Sequence, residues 1–168
     1  MSIERHKNIV LIGMPGCGKS TIGVLLAKAL GFGFIDTDLV IQQAAGKSLQ
    51  DIVDYQGYLE LRKLEEQAVL SLAPINNVIA TGGSAVYSKA AVAHLKQLGP
   101  LIYLQLDLQS LEKRVGDYSQ RGLASDNRHS FNEIYNERCP LYEAAADVVV
   151  DCQGLSPDQV VNKIRDIL

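Results

Sequence analysis

The sequence predicts an α/β fold, a three-layer α/β/α arrangement built on a five-stranded parallel sheet. Two observations carry that expectation. Short apolar runs alternate along the chain with segments of helical period, the signature of strand followed by helix. The runs are also nearly continuous in apolar residues, as strands buried on both faces are.

The elements follow in order. Asn8–Ile12 is the first strand, and an amphipathic stretch over Lys19–Leu30 is the first helix. Gly33–Asp36 gives the second strand, followed by periodic segments over 39–72. Further strands are read at 78–80, 101–106 and 148–150, each separated by enough chain for a helical crossover. Right-handed crossovers would place every strand-to-helix loop along the carboxyl edge of the sheet, where α/β ligand sites gather. The polar, turn-prone segment 116–130 is expected to be a mobile lid or a plain solvated connector.

At 168 residues and 47% hydrophobic content, the chain suits one domain spanning 1–168 with a substantial core. A net charge of −3 argues against a nucleic-acid partner, because phosphate backbones demand a basic surface. No run approaches the ~20 apolar residues that span a bilayer. The stretch Met1-Ser2-Ile3-Glu4-Arg5-His6-Lys7 lacks the apolar core of a signal peptide, so no membrane partner and a cytoplasmic location are expected. Cys17, Cys139 and Cys152 are scattered, as are His6, His94 and His129. Reduced thiols and no protein-built zinc site follow.

The strongest motif is Gly13-Met14-Pro15-Gly16-Cys17-Gly18-Lys19-Ser20-Thr21, which fits G-x-x-x-x-G-K-[ST] between an apolar strand and an amphipathic helix. Glycines let successive backbone amides turn inward around phosphate oxygens, and the helix N-terminus adds field of the right sign. Lys19 would reach the β and γ phosphates and Ser20 would offer its hydroxyl to Mg²⁺. ATP with Mg²⁺ is the ligand implied. Cys17 sits near that helix N-terminus, so alkylation could inhibit and ATP protect; alternatively it is a small residue that fits the loop.

Asp36-Thr37-Asp38 follows the second strand. Read as strand residues, the two carboxylates share a face: Asp36 could hold Mg²⁺ through water, and Asp38 could accept a hydrogen bond from an incoming hydroxyl. A helix cap leading into Leu39 would explain Asp38 as well.

Together, "GMPGCGKST", "DTD", "LRKLEE", "TGGS", "QRGLA" and "ERCPLY" resemble the shikimate kinases in order and spacing over about residues 8–157. That resemblance implies a small P-loop kinase fold with a closing lid, transferring the γ-phosphoryl group of ATP to a ring hydroxyl of shikimate to give shikimate 3-phosphate. By position it makes Asp38, Arg62, Gly82, Gly83, Ser84 and Arg138 substrate contacts, with both arginines on the substrate carboxylate. Guanidinium forks suit a planar carboxylate. Arg62 could equally be a helical pair with Glu65 or Glu66, or be oriented by one of them, and Arg138 a helix-end charge near Pro140. Arg121 falls on the lid arginine that closes over the γ-phosphate. Arg114 and Pro157 fall where the family sandwiches adenine. The catalytic set is therefore Lys19, Asp38 and Arg121, the metal pair is Ser20 with Asp36, and a monomer acting on small molecules is expected.

The sequence departs from the family at two places. Ser84 stands where a third glycine is usual, and Gly122 where a proline follows the lid arginine. A left-handed backbone at Ser84 would cost on the order of 1 kcal/mol. Gly122 would leave the open lid about 0.4–1 kcal/mol more to order on closure. Two other readings remain open from the residues: a kinase of another small hydroxylated carboxylic acid, and a nucleotide-dependent binding or regulatory protein.

Overall fold

The apolar runs form β1 (Asn8–Ile12), β2 (Gly33–Asp36), β3 (Asn77–Ala80), β4 (Leu101–Gln105) and β5 (Val148–Asp151). All pairings are parallel, in the order β2-β3-β1-β4-β5. The computed structural model describes residues 8–116 and 130–168, so Arg121, Gly122 and most of segment 116–130 lie outside the described residues. The helices are α1 (Lys19–Leu30), α2 (Thr37–Ala45), α3 (Leu49–Gln56), α4 (Tyr58–Leu70), α5 (Lys89–Leu98), α6 (Leu108–Val115), α7 (Phe131–Ala145) and α8 (Pro157–Ile167). None is long and apolar enough to cross a membrane.

β1 lies at the sheet centre with every residue buried, which is why its sequence does not alternate. Helices α1 and α8 touch each other, and α1 also lies across β1, β2 and β3; α5 touches β1 and α7 touches β4. Ile9 to Ile12, Val78, Ile79, Leu101 to Leu104 and Val150 fill the main core with residues from these helices. A second, small cluster of Ile41, Ile52, Val53 and Leu61 ties α2, α3 and α4 together. Its separate burial gives the wall opposite the phosphate loop its own support.

Two local expectations change. Asp36 and Asp38 do not share a strand face: β2 stops at Asp36, whose Oδ1 accepts from the Asp38 amide at 2.9 Å and so caps α2. Carboxylates at this position satisfy amides that a new helix leaves open. Arg138 is not a helix-end charge either, because α7 runs through Pro140 to Ala145. Pro140 is solvent-exposed, so water can serve the carbonyl one turn back that the ring leaves without an amide.

Candidate active site

The phosphate loop joins β1 to α1. Six of the helices, α2, α3, α5, α6, α7 and α8, begin on a side-chain cap, whereas α1 begins on Gly18 at φ 100° with no side-chain cap. That left-handed conformation needs glycine, and it leaves the first amides of α1 facing the loop without a competing side chain. Lys19 crosses the same concavity: its ammonium donates to Gly13 O at 2.7 Å, to Met14 O at 2.9 Å and to Cys17 Sγ at 3.7 Å. Buried to 8% exposure, this charge is held where incoming phosphate oxygens could replace the carbonyls. Gly13, Met14 and Cys17 are buried beneath the loop surface, and the burial of Cys17 fits a small residue filling the loop better than a reactive thiol.

Ser20 Oγ donates to Asp36 Oδ2 at 2.7 Å. A hydroxyl and a carboxylate are thus already side by side at the helix N-terminus, a hard-oxygen pair of the kind Mg²⁺ takes. One carboxylate serves two purposes, with one oxygen capping α2 and the other meeting Ser20.

A cleft of 390 Å³ opens beside this loop, lined by Pro15, Gly16, Gly18, Lys19, Ser20 and Thr21 on one side. Asp38, Glu65, Gly82, Gly83, Ser84 and Arg138 line the other. Burial, helped by the neighbouring Asp36 charge and opposed by Lys19, pushes the Asp38 carboxyl up to about 6. The two glycines are there for space, since neither has a positive φ. A Cβ on Gly82 would overlap Glu65 Oε1 and come within 2.9 Å of Asp38 Oδ1. One on Gly83 would come within 2.9 Å of Arg138 Nη1 and of Pro15 Cδ.

Ser84 carries φ −97° and ψ 0°, so the left-handed strain anticipated for a serine at this position does not arise. Its hydroxyl donates to Glu65 Oε2. Glu65 is 4% exposed and its Oε1 has no hydrogen-bond partner among the described residues. Burial pushes this carboxyl up to about 7; the Ser84 hydrogen bond opposes the shift and the Asp38 charge adds to it. Sequence reasoning placed Glu65 only as a possible partner of Arg62 and did not foresee this pair with Ser84.

Arg138 is 1% exposed. Burial works against its charge, but Tyr142, Tyr87 and Glu65 more than offset that and hold it firmly protonated. Tyr142, fully buried, donates to Gly83 O at 2.5 Å and so fixes the glycine turn beside it. Arg62 does not line the cleft; its guanidinium carbon lies 3.8 Å from the ring centroid of Tyr87 and 5.2 Å from that of Tyr58. A second hollow of 150 Å³ brings Arg114 and Pro157 together with Cys17, Gly18 and Thr21. Gly18, Thr21 and Arg114 border both hollows.

A family model for shikimate kinase matches residues 15–168. The shikimate kinase of Francisella tularensis subsp. novicida is 38% identical over 168 residues, covering 98% of this chain and 96% of that protein. The shikimate kinase of Persephonella marina is 36% identical over 159 residues, with 94% and 96% covered. Among solved structures, the Acinetobacter baumannii shikimate kinase in complex with shikimate superposes with a TM-score of 0.90 at 28% identity, covering 98% of this chain and 93% of that one. The Candida albicans thymidylate kinase, at 16% identity and a TM-score of 0.64, shares the fold.

Proposed function

The chain belongs to the shikimate kinase family and is an ATP-dependent kinase that phosphorylates a ring hydroxyl of shikimate; on that premise we propose how the cleft divides the work. The uncapped start of α1 and Lys19 take the β and γ phosphates, and Arg114 with Pro157 takes the adenine. Ser20 and Asp36, the latter through water, would hold Mg²⁺, which when bound neutralises charge on the transferring oxygens. The geometry that supports the pair is their existing hydrogen bond.

Across the cleft, Asp38 accepts a hydrogen bond from the attacking hydroxyl and so points its oxygen at the γ-phosphoryl group. Arg138, in the cleft wall, takes the substrate carboxylate; Arg62, outside that wall and against Tyr87, is assigned to the same carboxylate by the family's pattern alone. Gly82 and Gly83 leave the room that a ring needs against the backbone, and Ser84 borders the same ring. Arg121 supplies a further positive charge to the transferring group in the manner of the family. Holding two reactants in one orientation supplies much of the acceleration in a reaction whose transition state is loose.

The observation that carries this reading is the convergence of Lys19, Asp38 and Arg138 on a single cleft of 390 Å³. A cation for phosphate, an acceptor for a hydroxyl proton and a cation for a carboxylate are the three contacts that transfer to a hydroxy acid requires. ADP release in the presence of Mg²⁺ and ATP, followed while shikimate is raised to millimolar concentration, tests it. Saturable, shikimate-dependent release supports the reading, and a folded, ATP-binding protein with no such release overturns it.

A further inference from the structure

Tyr87 ends the 3₁₀ turn Ala85–Tyr87 that follows the glycines and Ser84, and it touches both arginines assigned above to the substrate carboxylate. Arg62 lies face-on over its ring at 3.8 Å from the centroid. Arg138 Nε donates to its hydroxyl at 3.3 Å, and the Arg138 guanidinium carbon is 5.4 Å from the same ring centroid. The hydroxyl in turn donates to Glu137 Oε1 at 2.7 Å. Arg62 belongs to α4 and Arg138 to α7, so one tyrosine between those helices bridges two guanidinium groups of like charge.

From this geometry we propose that Tyr87 is a positioning residue that sets the orientation of Arg62 and Arg138 for the substrate carboxylate. This rests on the reading that those two arginines take that carboxylate. Two like charges brought to one anion repel each other until the anion arrives, and long side chains retain rotamer freedom that binding must remove. The negative face of an aromatic ring attracts a guanidinium without competing for its in-plane donors. A phenol oxygen accepting from Nε fixes the Arg138 guanidinium at its inner edge. The hydrogen bond onward to Glu137 polarises the phenol toward acceptance. Tyr87 thereby holds both forks while contributing no contact of its own to the chemistry.

The test compares Tyr87→Phe, which keeps the ring under Arg62 and removes the bond to Arg138, with Tyr87→Leu, which removes both. KM for shikimate should rise about tenfold in Tyr87→Phe and further in Tyr87→Leu, the size expected for loss of a charged-group hydrogen bond. KM for ATP should stay at the wild-type value in both. A shikimate analogue whose carboxylate is reduced to a primary alcohol supplies the discriminating control: with it, wild type and Tyr87→Phe should be equal. An equal penalty on acid and alcohol, or a parallel rise in KM for ATP, would mean a structural role and overturn the inference. Arg62→Lys and Arg138→Lys are measured alongside. If they raise KM for shikimate and Tyr87→Phe does not, the inference fails and the carboxylate reading stands; if the lysine variants change nothing, both fail.

Discussion

Ser84 Oγ donates to Glu65 Oε2 in a place where both side chains are almost wholly buried. The serine that departs from the usual third glycine therefore adds a donor to a carboxylate that reaches the glycine turn. Ser84→Gly keeps an accessible backbone but leaves the Glu65 carboxylate with one donor fewer. Urea unfolding should show a loss of about 1–3 kcal/mol, the range for a buried polar group left without its partner. In the Glu65→Gln background the same change should be smaller, because the neutral amide loses less.

The raised Glu65 carboxyl makes stability depend on pH in a defined direction. Its value in the folded chain is about 7 against an ordinary 4.5, so the folded state binds the proton more tightly than the unfolded one. The stabilisation is then complete below about 4.5 and is lost as pH rises through about 7. The urea midpoint of the protein without ligands should fall between pH 5 and pH 8, and Glu65→Gln should remove much of that slope. A midpoint that rises over this interval, or an unchanged slope in the variant, contradicts the assignment.

Gly82→Ala puts a methyl group against Glu65 Oε1 and Asp38 Oδ1. Because the obstruction lies on the acceptor side, kcat/KM for shikimate should drop by at least about tenfold, corresponding to roughly 1.4 kcal/mol of lost transition-state stabilisation. KM for ATP should hold. Steady-state kinetics with each substrate varied in turn separates the two effects.

Lys19→Ala removes the ammonium now held by Gly13 O and Met14 O. Phosphotransfer should fall by about two orders of magnitude or more, as for loss of one preorganised charge on a transferring group. Burial of the loop without its cation should leave the thermal midpoint within a few degrees of wild type. A variant of near-normal rate would remove Lys19 from the mechanism.

Much of this was legible in the sequence for physical reasons that differ by residue. Two-sided burial forced near-continuous apolar runs at β1, β3 and β4, so the sheet could be read directly. The phosphate loop was legible because its glycines and Lys19 are fixed by spacing along the chain. Asp38 was misread as sharing a strand face with Asp36, because the end of β2 and the cap of α2 depend on a side-chain bond from Asp36 to the Asp38 amide that periodicity does not encode. The burial of Glu65, Tyr142 and Arg138 was not legible at all, since it arises from α4, α7 and the glycine turn meeting in space. Tyr87 escaped notice for the same reason: its two arginines are 25 residues before it and 51 after it in the chain.

The central claim is that Asp38 and the phosphate loop address the two reactants across one cleft. It is tested most directly by shikimate-dependent ADP release measured for wild type and Asp38→Asn side by side, with ATP binding followed in both. The account predicts saturable release by the wild type and a fall in kcat of about 10²–10⁴ in Asp38→Asn, the usual contribution of a positioned acid or base, with ATP binding retained. An Asp38→Asn enzyme that releases ADP at the wild-type rate would contradict it.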